Sequence, residues 1–124
     1  MKNKDISIIL LLYKTPKKLL KNLEKYRNFK KLILNQSNDE ELKNWVKNKF
    51  KKVQFFGSFE KNVGFAKGIN FLVKKVKTKF FLCTQPDVLI SDNSIKILKK
   101  TLINNKNCII SVPYINPSKR KKGE

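Results

Sequence analysis

Apolar residues in this chain fall into short blocks that switch between two spacings. Ile6 to Tyr13 is apolar except for Ser7, as expected of a central strand covered on both faces. Thr15 then offers an N-cap and Pro16 a first helical residue. Leu19, Leu20, Leu23 and Tyr26 share one face of the helix that this predicts. Leu32-Ile33-Leu34 reads as a second strand ending in polar Asn35-Gln36-Ser37. Asn38 followed by Glu41 resembles a capping box, and Asp39 and Glu40 suit the positive end of a helix dipole. Leu42, Trp45 and Val46, extended by Phe50, give that helix its apolar stripe. Val53 to Phe56 is a third strand, stopped by Gly57-Ser58.

The second half repeats the alternation. Phe65, Ile69, Leu72, Val73 and Val76 recur at helical spacing after Gly64, and Phe80 to Cys83 is a fourth strand. Asp92, Asn93 and Ser94 supply caps for a helix carrying Ile95, Leu98 and Leu102, and Cys108 to Val112 reads as a fifth strand ended by Pro113. Strand and helix alternate almost throughout, which predicts an α/β fold: a mostly parallel sheet with helices on both faces. Residues 1–115 are expected to form one domain. Residues 116–124 include the basic run Lys119-Arg120-Lys121-Lys122, and no apolar side chain; a disordered tail is expected there.

Composition narrows the function classes. The chain has 124 residues, 40% of them hydrophobic, enough for a single core. Its formal charge is +20, which by itself suggests a nucleic acid or an anionic membrane surface. The excess is almost all Lys, however, with Arg27 and Arg120 the only arginines, and the lysines are spread over every predicted element. Lys, Asn, Ile and Phe fill about half the chain, a bias that an AT-rich gene would produce. A biased, solvated surface is therefore preferred to a dedicated polyanion groove, and a nucleic-acid-binding domain stands as the weaker alternative. Attraction to anionic lipid or a nucleotide diphosphate would accompany such a surface.

No apolar run is long enough to span a bilayer, and Ile6 to Tyr13 lacks the position and cleavage site of a signal peptide. A cytoplasmic protein is expected. Cys83 and Cys108 lie in predicted strands and are expected to be buried free thiols. With no histidine in the chain, His-ligated zinc and His-based triads are excluded.

In open parallel sheets ligands bind beyond the carboxyl ends of the strands, where strand order switches. The polar residues expected there are Lys14-Thr15, Asn35-Gln36-Ser37, Ser58 to Asn62 and Gln85 to Asp87. The turn after the first strand has no glycine, so the dinucleotide fingerprint is missing, and no Walker-type loop occurs. What remains is Asp87, held at a strand end behind Pro86. A lone carboxylate either opens a turn or anchors Mg²⁺ or Mn²⁺ when diphosphate oxygens and water complete the coordination. Asn62 and Gly64 likewise fit an ordinary helix entrance or a phosphate-facing loop. Gly68, early in a helix, costs roughly 1 kcal/mol against Ala, which points to a close approach at that position.

Taken together, Asn62-Val63-Gly64-Phe65-Ala66-Lys67-Gly68-Ile69-Asn70 and Gln85-Pro86-Asp87 resemble the family 2 glycosyltransferases, especially the rhamnosyltransferase-like group. That group carries Asn-x-Gly-Phe-Ala-x-Gly-x-Asn and, after a helix and a strand, Asn-Pro-Asp. The first motif matches here at Asn62, Gly64, Phe65, Ala66, Gly68 and Asn70, and the second at Pro86 and Asp87. Ser7 to Pro16 resembles the family's first strand and turn, and the likeness covers residues 5–115. It implies a GT-A fold and transfer of a sugar from a nucleotide diphosphate donor to an acceptor hydroxyl, in polysaccharide or glycolipid synthesis. Asp87 would be the metal-contacting acid; Asn62, Gly64, Gly68 and Gln85 would shape the donor pocket; Thr15, Pro16 and Asn35 would lie near the base. The acceptor would be a glycan or a lipid-linked sugar, reached from the inner membrane face.

The chain departs from the pattern at Asn35-Gln36, where the family has Asp-Asn, at Gln85, where it has Asn, and at Lys14. The family's catalytic base lies downstream of anything present here, so no catalytic residue is assigned. The expectation is a donor-binding half, truncated or split, with little or no activity alone. Its alternative is a degenerate, non-catalytic binding module of the same fold.

Overall fold

The computed structural model describes residues 3–57 and 62–114. Four strands, β1 (Ile6–Leu12), β2 (Lys30–Asn35), β3 (Val53–Phe56) and β4 (Phe80–Thr84), form one sheet in the order β3-β2-β1-β4. Every pairing is parallel, with Ile9 of β1 opposite Leu32 on one side and Cys83 on the other. Helices α1 (Lys17–Leu20), α2 (Glu40–Lys49) and α3 (Phe65–Lys75) occupy the connections, so the predicted α/β class is what the chain adopts. The chain divides into two compact units, Met1–Leu89 and Ile90–Glu124, and the whole sheet belongs to the first.

Burial follows the pleat. Side chains alternate between faces along a strand, and paired residues share a face. On one face α3 covers Ile9, Leu32 and Leu34 with Leu72, and half-buried Leu11, Phe56, Ile69, Phe71, Val73 and Val76 close around them. On the other face Ile8, Leu10 and Leu12 are fully buried, and Leu20, Leu23, Tyr26, Leu42 and Val46 of the helical segments that follow β1 and β2 are buried too. Phe65, predicted on the apolar stripe of α3, is instead exposed at the helix entrance.

After β1 the predicted helix takes a different form. It opens as the four-residue α1 and continues as a 3-10 helix, Lys21–Tyr26. Leu20, Leu23 and Tyr26 recur every third residue, the spacing that a 3-10 helix brings into line, and all three are buried. Pro16 occupies the N-cap position; the Thr15 hydroxyl instead accepts from the Tyr13 N–H at 3.3 Å. In α2 the cap is Asp39 rather than Asn38, its Oδ1 accepting from the Leu42 N–H at 2.9 Å. Glu41, freed from the capping role, pairs with Lys17 at 3.3 Å.

At the amino end of β2, Lys31 is completely buried. Its Nζ donates to the Tyr26 and Phe29 carbonyls, each at 2.8 Å. Burial, reinforced by the positive Lys52 and opposed by Glu24, lowers its pKa to about 8.

The second unit contains α4 (Asp92–Asn104), capped by Ser91, whose Oγ accepts from the Ser94 N–H at 3.1 Å. Ile95 is its buried residue. The expected fifth strand, Cys108 to Val112, does not form. Apolar, β-branched residues favour a strand only where a neighbour supplies the ladder. Among the described residues these pair with none, and Ile109 is 88% exposed. The Ser111 hydroxyl instead donates to the Leu98 carbonyl at 2.9 Å.

The cysteines also differ from expectation. Cys83 is exposed, because β4 is the sheet edge and α3 packs over β1 and β2. Cys108 is half-buried outside any strand. The predicted tail, residues 116–124, lies outside the described residues. Among those described, no helix is long and apolar enough to cross a membrane.

Candidate functional site

An all-parallel sheet puts all four carboxyl ends on one edge. Here β2 and β3 lie on one side of β1 and β4 on the other, so strand order switches between β1 and β4. Thr15 and Pro16 follow the end of β1, Asn35 closes β2, and Gln85 and Asp87 follow β4. The ends of β2 and β4 are separated by β1, roughly 10 Å at ordinary strand spacing.

The helix entrance is tied to this edge through Gln36. That side chain is buried, and its Oε1 accepts from the Val63 N–H at 2.9 Å. One residue earlier, Asn62 Oδ1 accepts from the Gly64 N–H at 2.8 Å, closing an Asx turn. Gly64 has φ +89°, a conformation that residues with a Cβ rarely adopt, and it forms the N-cap of α3 without a capping side chain. The first-turn N–H groups of α3 therefore carry the positive end of the helix dipole, next to Lys67. Gly68 has a different reason for its identity. A Cβ there would lie 2.8 Å from Leu11 Cδ2, so glycine lets α3 approach β1.

Across the edge, Gln85 to Val88 form a β-turn closed by the Val88 N–H donating to the Gln85 carbonyl at 3.1 Å. Pro86 and Asp87 are its central residues, and Asp87 is exposed. The carbonyls on either side of Asp87 are both held from the 3-10 helix: Asn22 Nδ2 donates to Pro86 O at 2.9 Å, and the Tyr26 hydroxyl to Val88 O at 3.1 Å.

At the end of β1, Lys14 adopts a left-handed φ of +51°, uncommon for a residue with a side chain. Its ammonium sits 5.4 Å from the centroid of the exposed Tyr13 ring. Asn35 is 1% exposed, and its amide is engaged by Ser37: Nδ2 donates to the Ser37 carbonyl at 2.9 Å and Oδ1 accepts from the Ser37 hydroxyl at 3.1 Å.

The edge thus gathers Thr15, Pro16, Asn35, Asn62, Gly64, Gln85 and Asp87, while Gly68 sits inside the helix–sheet contact. Two residues that shape the edge carry no signal in the motifs, Asn22 and Tyr26, while Gln36 belongs to the polar end of β2. For Asn22 and Tyr26 the only trace is their four-residue spacing ahead of a strand. Among the described residues, no group of three or more acidic or cysteine side chains could cage a metal. One exposed carboxylate fits a Mg²⁺ or Mn²⁺ ion that arrives with a diphosphate, not a cation the protein holds alone. No known protein family matches the chain, and no curated protein matches it in sequence.

Proposed function

We propose that the chain is the donor-binding part of a glycosyltransferase, holding a nucleotide diphosphate sugar and a divalent cation at the carboxyl edge of the sheet. The observation that carries this reading is the pairing of a glycine-capped helix entrance with a turn-borne carboxylate, on either side of the β1 end, at the switch in strand order. The α3 amino end and Lys67 suit phosphate oxygens, and Asp87 suits a cation shared with them. The motif resemblance adds the sugar. The cation, when bound, would stabilise the negative charge that grows on a departing diphosphate. The chain's own residues bind and orient the donor; the acceptor, a glycan or lipid-linked hydroxyl at the cytoplasmic membrane face, is met by groups not assigned here.

The test is calorimetric titration of UDP- and dTDP-sugars with and without Mn²⁺. Manganese-dependent binding is expected for one donor class. Asp87→Ala should weaken it roughly tenfold or more, since that is the carboxylate assigned to the cation among the described residues. Binding without metal dependence, or an Asp87→Ala chain indistinguishable from wild type, would overturn the assignment.

A second reading, a binding module of the same fold without transfer, is favoured by Asn35. Its amide is turned inward onto Ser37, where the resembling family has an acid facing the base. Asn35→Asp separates the two: tighter UDP binding would argue for a site that retains its donor geometry.

A further inference from the structure

Asp87 is an exposed residue in a turn, yet the main chain around it is pinned. The 3-10 helix Lys21–Tyr26 places Asn22 and Tyr26 four residues apart, and each donates a hydrogen bond to a carbonyl flanking Asp87, Pro86 O and Val88 O. The donor at Tyr26 is itself fixed. Its ring is 1% exposed, and its own carbonyl receives the buried Lys31 ammonium at 2.8 Å. The turn that these two grips hold is closed by its own bond, from Val88 N–H to Gln85 O.

We propose that Asn22 and Tyr26 are positioning residues for the cation-binding carboxylate, holding the Asp87 turn in its ligand-ready form before donor or metal arrives. The inference rests on the reading that Asp87 anchors a diphosphate-bound cation. Its physical basis is preorganisation. Asp87 is the one ligand assigned to the cation among the described residues, so the cost of ordering its turn falls on that bond. A turn held on both sides of the ligand avoids that cost.

The experiment uses the full chain with Asn22→Ala, Tyr26→Phe, the double variant and Asp87→Ala. Calorimetry gives the UDP Kd with and without Mn²⁺, and amide hydrogen exchange follows the Val88 N–H in the ligand-free chain. Tyr26→Phe keeps the buried ring and removes only the hydroxyl. Each single variant should lose roughly fivefold of the manganese-dependent gain in affinity, the size of one lost hydrogen bond, with UDP binding in the absence of metal unchanged. The Val88 amide should exchange faster in both. If Asp87→Ala abolishes the manganese gain while the double variant keeps the wild-type gain, the positioning role is overturned. Equal losses with and without metal would also overturn it, since they signal a general structural defect. If Asp87→Ala itself retains the gain, the metal reading fails first, and that outcome is visible in that variant alone.

Discussion

At the amino end of the sheet, Ser7 and Lys31 are enclosed and answered by the chain itself. Lys31 is buried against two carbonyls, and the Thr78 hydroxyl lies 2.8 Å from both Ser7 Oγ and the Phe80 carbonyl. At the carboxyl end Asn35 and Gln36 are enclosed in the same way, but other polar groups are presented or left open. Asp87, Asn62 and Gln85 are exposed, and the buried Thr84 hydroxyl has no hydrogen-bond partner among the described residues. Side chains used in structure at this end, Gln36, Asn22 and Tyr26, spend their bonds on the backbone of the two exposed loops. The same chemistry therefore closes one end and props the other open.

The largest expected effect tests the closed end. Lys31→Ala removes a buried alkyl chain and leaves the Tyr26 and Phe29 carbonyls unpaired, which should cost about 3 kcal/mol in urea unfolding. UDP affinity of the folded chain without metal should hold. A matching loss of affinity would break the contrast, with Tyr26 as the residue joining the two ends.

Next in size is a pH effect with an unusual sign. The Lys31 pKa is about 8 in the folded chain and 10.5 as the ordinary value, so between them the unfolded chain binds more protons. Unfolding free energy should therefore rise with pH, by about 2 kcal/mol between pH 7.5 and 9.5. Denaturation curves across that range, repeated with Lys31→Ala, check both the slope and its owner.

The smallest stability change belongs to the open end. Gln36→Leu leaves the Val63 N–H without its acceptor and should cost about 1 kcal/mol. Its effect on UDP affinity should be the more visible one, roughly fivefold, because the loss falls on the loop that leads into α3. A variant that loses stability but not affinity would move Gln36 to the structural side of the contrast.

Much of the fold was legible in residue spacing, because Ile6–Leu12 and Val53–Phe56 are apolar blocks bounded by polar ends or glycine, and α3 has an amphipathic period. The misses have local causes. Asn38 and Asp39 are both competent caps, and choosing between them depends on which side chain reaches the Leu42 N–H. Leu19, Leu20, Leu23 and Tyr26 fit an α-helix as well as the 3-10 helix that forms. Cys108 to Val112 has strand propensity but no partner strand among the described residues, which no local pattern reveals. In the site, Asn62, Gly64 and Asp87 stand out because unusual backbone or charge requires them. Asn22 and Tyr26 do not, and Gln36 shows only as a strand-end polar residue, since each acts through a contact with residues far along the chain.

The register of β1 has a consequence for the order of assembly. Ile6 pairs with Phe80 and Leu10 with Thr84, while the other side of β1 pairs with the nearby β2. On a ribosome, β1, β2 and β3 emerge long before β4, whose docking must close the longest loop in the sheet. The switch in strand order between β1 and β4 is then completed only when that last strand arrives. Any ligand bridging the two strand ends would add its binding energy to the docking of β4, so a chain with such a ligand bound should resist proteolysis at its sheet edge better than the empty one.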